Sequence, residues 1–227
     1  MIAARAVSLA LTVCAGACAM SADSTAIKTS AIYATYTISQ SDQELPRAIA
    51  TLHVRDPSGT PLRVADPDIL TCDGMQLTES AAGLDTAYEV GVAAAPSHAF
   101  VFARPHEAPF AATVAAPVDF TLTSPPLEGT YDGEYTLAWA GGVDSTVSIS
   151  ATSTTTGCVR TVITTDAIDQ GTFAFSGVAF RAANGGTPDC VYSIDLARDV
   201  TSPNGPPFAG GALISRRVRT TTIHVHL

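Results

Sequence analysis

Two histidines close the chain. His224 and His226 stand two apart in a strand-like run, a spacing that puts both imidazoles on one face, where they could donate two ligands to copper or zinc. Ile223, Val225 and Leu227 alternate with them and claim the inward face. The pair is therefore expected to point into solvent at a chain end, where an ordered site is hard to hold. They are weak metal candidates, and no cofactor is expected. His98 and His106, eight apart with Pro105 between, could add ligands only through contacts the sequence does not show. Asp66-Pro67-Asp68 and Asp132-Gly133-Glu134 are acidic turns of the kind that chelate calcium, but neither has the EF-hand spacing.

Nucleophilic catalysis finds equally little. No Gly-x-Ser-x-Gly elbow is present. His53, Asp85 and Ser145 follow in the order of a serine protease, yet any chain rich in Ser and Asp offers such a triple. A thiol enzyme would need Cys72 beside His53, His98 or His106. The stronger reading of Cys72 is a buried small hydrophobe, and the other is a reactive or intermolecular thiol. Phosphate cradles are absent, and Asn184-Gly185-Gly186 ahead of Thr187-Pro188 reads as a loop. Arg216, Arg217 and Arg219 form the one basic cluster. Arg217 and Arg219 share a face that could meet an anionic glycan or lipid head group, but exposed-strand charges that oppose edge-to-edge aggregation explain them better. Thr152 to Thr156 reads as a solvated strand end. No convergent catalytic set emerges, so the chain is expected not to be an enzyme.

Composition sets the frame for these residues. The chain has 227 residues, 46% hydrophobic and 15% charged, with a formal charge of -9. That is a globular composition, and its acidity lacks the basic footprint that nucleic-acid binding requires. Arg5 is followed by an apolar run from Ala6 to Met20, about 15 residues, too short for the roughly 20 a membrane-spanning helix needs. This is an export signal in outline. Ala15, Gly16, Ala17 and Cys18 resemble the small-residue and Cys box of bacterial lipoprotein signals, which implies cleavage after residue 17 and an acylated Cys18. Ordinary cleavage after Ala15-Gly16-Ala17 or Ala17-Cys18-Ala19 is the alternative. By the same resemblance, Ala19 after the Cys implies outer-membrane or surface placement, with periplasmic or secreted protein as the alternative. Residues 18–30 then read as a short polar tether. Losing residues 1–17 removes Arg5 and takes the formal charge to -10.

Beyond residue 30 the texture is alternating apolar and polar runs, rich in Thr, Val, Ile and aromatics, broken by Gly, Pro, Asp and Ser. Strands are expected over Ala31 to Ser39, Ala48 to Arg55, Ile69 to Cys72, Met75 to Glu79, Tyr88 to Ala93, Ala99 to Ala103 and Ala111 to Ala115. After Ala116-Pro117 the pattern restarts with Phe120 to Thr123, Thr136 to Ala140, Thr146 to Ala151, Val159 to Thr164, Thr172 to Phe175, Val191 to Leu196 and Ala212 to Leu227. Asp73-Gly74 between two short runs is a two-residue hairpin signal that favours positive φ. A weak helical stripe over Glu79 to Tyr88 is interrupted by Gly83. The fold class is all-β, two tandem β-sandwiches over residues 31–116 and 117–227. Cys158 and Cys190 both open strand-like runs in the second, and are the favoured disulfide.

Pro125, Gly129 and Tyr135-Thr136-Leu137-Ala138-Trp139 resemble the opening of fibronectin type III-like and related immunoglobulin-like modules. Trp139 precedes both cysteines, unlike antibody domains, so no antibody-like recognition is implied. The wider layout adds Leu70-Thr71-Cys72-Asp73-Gly74, Asp169-Gln170-Gly171-Thr172-Phe173 and Arg216-Arg217-Val218-Arg219-Thr220. Together these resemble bacterial lipoproteins with tandem immunoglobulin-like domains, which implies fold and address and brings no activity. The expected role is a non-catalytic cell-envelope lipoprotein, bound to the membrane through its lipid and serving an envelope protein or glycan. A carbohydrate-binding module is the alternative and would need exposed aromatics among Tyr33, Tyr36, Tyr88, Tyr131 and Tyr135. A His224 and His226 metal protein is the third.

Overall fold

The computed structural model describes residues 21–42, 44–80, 86–124, 127–140, 146–180 and 189–226. The signal segment with Cys18, together with Asp85, Ser145, Asn184 to Pro188 and Leu227, lies outside them. The chain is all-β, as the alternation predicts. Its first part supplies β1 (Ala22–Asp23), β2 (Ile32–Gln40), β3 (Arg47–Val54), β4 (Leu62–Arg63), β5 (Ile69–Cys72), β6 (Met75–Gln76), β7 (Thr78–Ser80), β8 (Ala87–Gly91), β9 (Ser97–Ala103) and β10 (Phe110–Ala115). The rest supplies β11 (Leu127–Thr130), β12 (Glu134–Ala138), β13 (Thr146–Thr152), β14 (Thr161–Ile168), β15 (Thr172–Ser176), β16 (Cys190–Thr201) and β17 (Gly210–His226). The described ends of the weak helical stripe are strands β7 and β8, and Phe120 to Thr123 contributes only a bridge between Leu122 and Trp139.

Period-two alternation decides the faces. Ile32, Ala34, Tyr36 and Ile38 of β2 all point inward with no exposed surface. A nine-stranded sheet runs β14-β13-β16-β17-β2-β3-β8-β7, with β11 beside the far half of β17. A four-stranded sheet, β10-β9-β5-β6, covers one half of it, and the pair β12-β15 belongs to the other. Between the large sheet and the four-stranded sheet lies a first core, where Tyr36 stacks on Phe100 with centroids 4.6 Å apart. A second core gathers Leu137, Trp139, Ile149, Phe180, Tyr192, Ile194 and Ile223.

One strand enters both cores. β17 is parallel to β2 from Gly210 opposite Tyr33 to Arg217 opposite Gln40, and parallel to β11 from Leu127 opposite Ile223 to Thr130 opposite His226. Its 17 residues reach about 56 Å at roughly 3.3 Å each. A division at 116/117 therefore assigns Phe208 and Leu213 to the wrong core, because both pack in the first. Gly211 allows the crossing. At φ +151° its hypothetical Cβ would lie 1.9 Å from the Ala34 carbonyl oxygen, so no side chain fits between β17 and β2 there.

The expected polar tether is corrected over its described part, residues 21–30. Ala22 and Asp23 pair in parallel with Leu62 and Arg63, and the Ala22 N–H donates to Pro61 O at 2.9 Å. Ser24 is completely buried, its Oγ accepting from the Ala65 N–H at 3.0 Å. The Arg104 guanidinium donates to Ser24 O at 2.7 Å, Ile27 O at 2.8 Å and Thr29 Oγ1 at 2.7 Å, with Asp68 3.2 Å away. A five-donor fork satisfies carbonyls that an irregular segment leaves unpaired, and its own charge is met by a buried carboxylate. Those donors come from a residue some eighty positions away, so local polarity gives no sign of the docking.

Candidate functional site

The residues with the most chemical potential meet at the β5–β6 hairpin. Cys72 pairs with Met75 across a two-residue turn whose Asp73 and Gly74 have φ of 51° and 79°. That is the positive-φ turn the Asp-Gly pair predicts. β9 runs antiparallel to β5 with Cys72 opposite Phe100, which puts His98, two residues earlier, on the same inner face. Ligand atoms of Cys72, Asp73 and His98 all lie within 4.8 Å of one another, the one group of three or more such side chains found among the described residues.

Geometry favours a lock over a reactive centre. His98 Nδ1 donates to Asp73 Oδ2 at 2.7 Å, and the Ala99 N–H donates to Asp73 Oδ1 at 2.8 Å. Both carboxylate oxygens are thus engaged. Burial pushes the Asp73 carboxyl up, but the Ala99 and His98 hydrogen bonds and the charge of His98 outweigh it and hold the group below its ordinary value. Burial, with the neighbouring Asp73 charge, pushes the Cys72 thiol up to about 12, which leaves essentially no thiolate at neutral pH. Cys72 has no exposed surface and His98 only 1%, so no substrate reaches either. A soft cation held here would take thiolate, imidazole and carboxylate as ligands, displacing the His98–Asp73 hydrogen bond.

The other predicted residues are dispersed. His224 and His226 are exposed, as alternation predicts, but on a strand paired on both sides by β11 and β16, and among the described residues they join no group of potential ligands. His106 is exposed on a turn, whereas His53 and His98 are buried. Asp68 is spent on Arg104. Cys158 and Cys190 form a disulfide with Cα atoms 6.0 Å apart, fastening the loop after β13 to the start of β16.

The arginine cluster lies within the sheet, not on an exposed edge strand. β17 is an interior strand, so its arginines guard no edge. Arg216 pairs with Asp199 at 2.6 Å, its register partner on β16. Arg217, 8% exposed, donates to Asp119 at 2.9 Å, to Asp42 at 3.3 Å and to Ser41 O at 3.0 Å. Arg219 contacts the same two aspartates and Phe120 O. Two guanidiniums thus tie the β2–β3 loop to the junction around residue 119, and no free basic face is left for an anion. Burial pushes the Asp119 carboxyl up, but Arg217, Arg219 and the Phe120 N–H together hold it below its ordinary value.

A second network escapes local sequence reading. Trp139 Nε1 donates to Asp169 Oδ1 at 2.7 Å, and Arg198 Nε donates to Asp169 Oδ2 at 2.6 Å. Arg198 also donates to Ala140 O and lies 4.3 Å over the Phe120 ring. Parity offers a signal, since Arg198 follows Tyr192, Ile194 and Leu196 on their inward face. The aromatic row needed for glycan stacking is missing: Tyr36, Tyr88, Tyr131 and Tyr135 are buried and Tyr33 half-buried. The exposed large apolar residues described are Leu45, Ile69, Met75, Val118, Val178 and Val191.

No family model matches this chain, and no curated protein matches it. Among solved structures it is similar to Salmonella α-2-macroglobulin, at 10% identity over 90% of this chain and 16% of that one, with a TM-score of 0.25. It is similar to the complex of Dpr11 IG1 with DIP-gamma IG+IG2, at 9% identity over 85% of this chain and 96% of that one, with a TM-score of 0.23. The titin I-band fragment I67-I69 overlaps 86% of this chain and 64% of its own, at 7% identity and a TM-score of 0.25.

Proposed function

We propose that this chain is a non-catalytic structural or binding module of the cell envelope, exported, cleaved after Ala17 and held on a membrane by acylated Cys18. The Cys158–Cys190 disulfide carries the reading, since such bonds persist in oxidising compartments outside the cytoplasm. The engagement of Cys72, Asp73 and His98 within the fold supports a non-catalytic role. The acidic balance supports a partner other than nucleic acid, an envelope protein or glycan. Metabolic labelling with a palmitate analogue is expected to label the wild-type protein. Unlabelled protein whose mature N-terminus is Met20 would overturn the anchor.

A further inference from the structure

The docked N-terminal segment fixes how such an anchor could hold the molecule. Ala22 is already part of the fold, so four Cα steps separate Cys18 from a fixed residue, a reach of at most about 14 Å. β1 is parallel to β4 and the Ala22 N–H donates to Pro61 O, so the first described residues, Ser21 and Ala22, stand at the turn over residues 55–60. The Arg55 N–H donates to Ala31 O at 2.8 Å, which brings that turn against the docked segment. Two exposed cations stand at this end: Lys28 and Arg55 make no ion pair among the described residues, whereas Arg63 is paired with Glu79 at 3.5 Å.

We infer that the end of the first core formed by Ala22, Lys28 and the turn over residues 55–60 lies directly against the bilayer surface. This rests on the acylated Cys18 of the proposed function. β2 and β17 both run away from that end, so β17 carries His226 and the Cys158–Cys190 disulfide to the far tip, about 56 Å off. The bilayer is the partner of the near end, and the lipid phosphates facing Lys28 and Arg55 are its chemistry.

The test uses full-length protein, processed in cells, purified in detergent and placed in phosphatidylethanolamine and phosphatidylglycerol vesicles with nitroxide head groups. A thiol-reactive fluorophore is attached at Ser58→Cys or at His226→Cys, the buried Cys72 being protected in the folded state. Quenching is expected at position 58 and not at 226. A ten-residue Gly/Ser insert after Met20 is expected to abolish quenching at 58. Equal signals at both positions, in protein whose intact mass carries the acyl chains, would overturn the apposition and leave the anchor standing. A mass without acyl chains would overturn both.

Discussion

Asp73 ties a turn, a neighbouring strand and a buried imidazole together through two oxygens, so its replacement exposes what each bond contributes. Asp73→Asn should destabilise by about 1–3 kcal/mol, since a buried imidazole N–H and the Ala99 amide lose a charged acceptor. The sign of the pH effect follows from the depressed carboxyl. Its contribution is complete above the ordinary carboxylate range, near 4, and is lost as the pH falls through the lower folded value. The difference in urea unfolding between wild type and Asp73→Asn should therefore shrink as the pH falls below about 4. Asp169 is a harsher case. Asp169→Asn leaves the Arg198 cation buried over Phe120 without its carboxylate, a loss of about 3–5 kcal/mol, which the Asp169→Leu, Arg198→Met double variant should recover only in part, because the buried Trp139 Nε1–H then lacks its acceptor. Both residues were half-legible in the sequence. His98 shares inward parity with Phe100 and Phe102, and Arg198 with Ile194 and Leu196, so a polar residue at a core position announces a partner. Which partner is fixed by pairing across the fold, and a single strand does not carry that information.

Strands themselves were the legible part, because burial of one face stamps a period of two on the chain. Ile69–Cys72 coincides with its expected bounds, and the Asp73-Gly74 turn follows from the φ it requires. What local pattern lacks is the identity of a strand's neighbours. The docking of residues 22–31 depends on Arg104, and the interior place of β17 depends on its pairing with β2 and β11. Gly211→Ala tests the second point. With the Ala34 oxygen 1.9 Å from the added carbon, β17 must separate from β2, and amide exchange in β2 should accelerate well beyond that in β13. Removing the disulfide acts elsewhere. Cys158→Ser with Cys190→Ser frees a loop closed over a separation of 32 residues and should cost about 3–4 kcal/mol in the chain-entropy account. Thermal unfolding in the presence and absence of reductant measures it in the native protein.

At the scale of the molecule, the two cores share a continuous sheet and are clamped at the junction by Asp42 and Asp119 on Arg217 and Arg219. Calorimetry at neutral pH should show a single transition with equal calorimetric and van't Hoff enthalpies, since neither core can open without disturbing β17. Two resolved transitions would mean that the shared strand does not couple them. The parallel pairing of β2 with β17 has a mechanical consequence as well. Tension between the N-terminal end and the C-terminus pulls these neighbours in opposite directions along their length, so their rungs from Tyr33 opposite Gly210 to Gln40 opposite Arg217 bear load together. An antiparallel hairpin pulled at its open end would instead part rung by rung. This chain is thus built to resist stretching along its long axis, and its rupture under load is set by the barrier to sliding the eight facing pairs past one another.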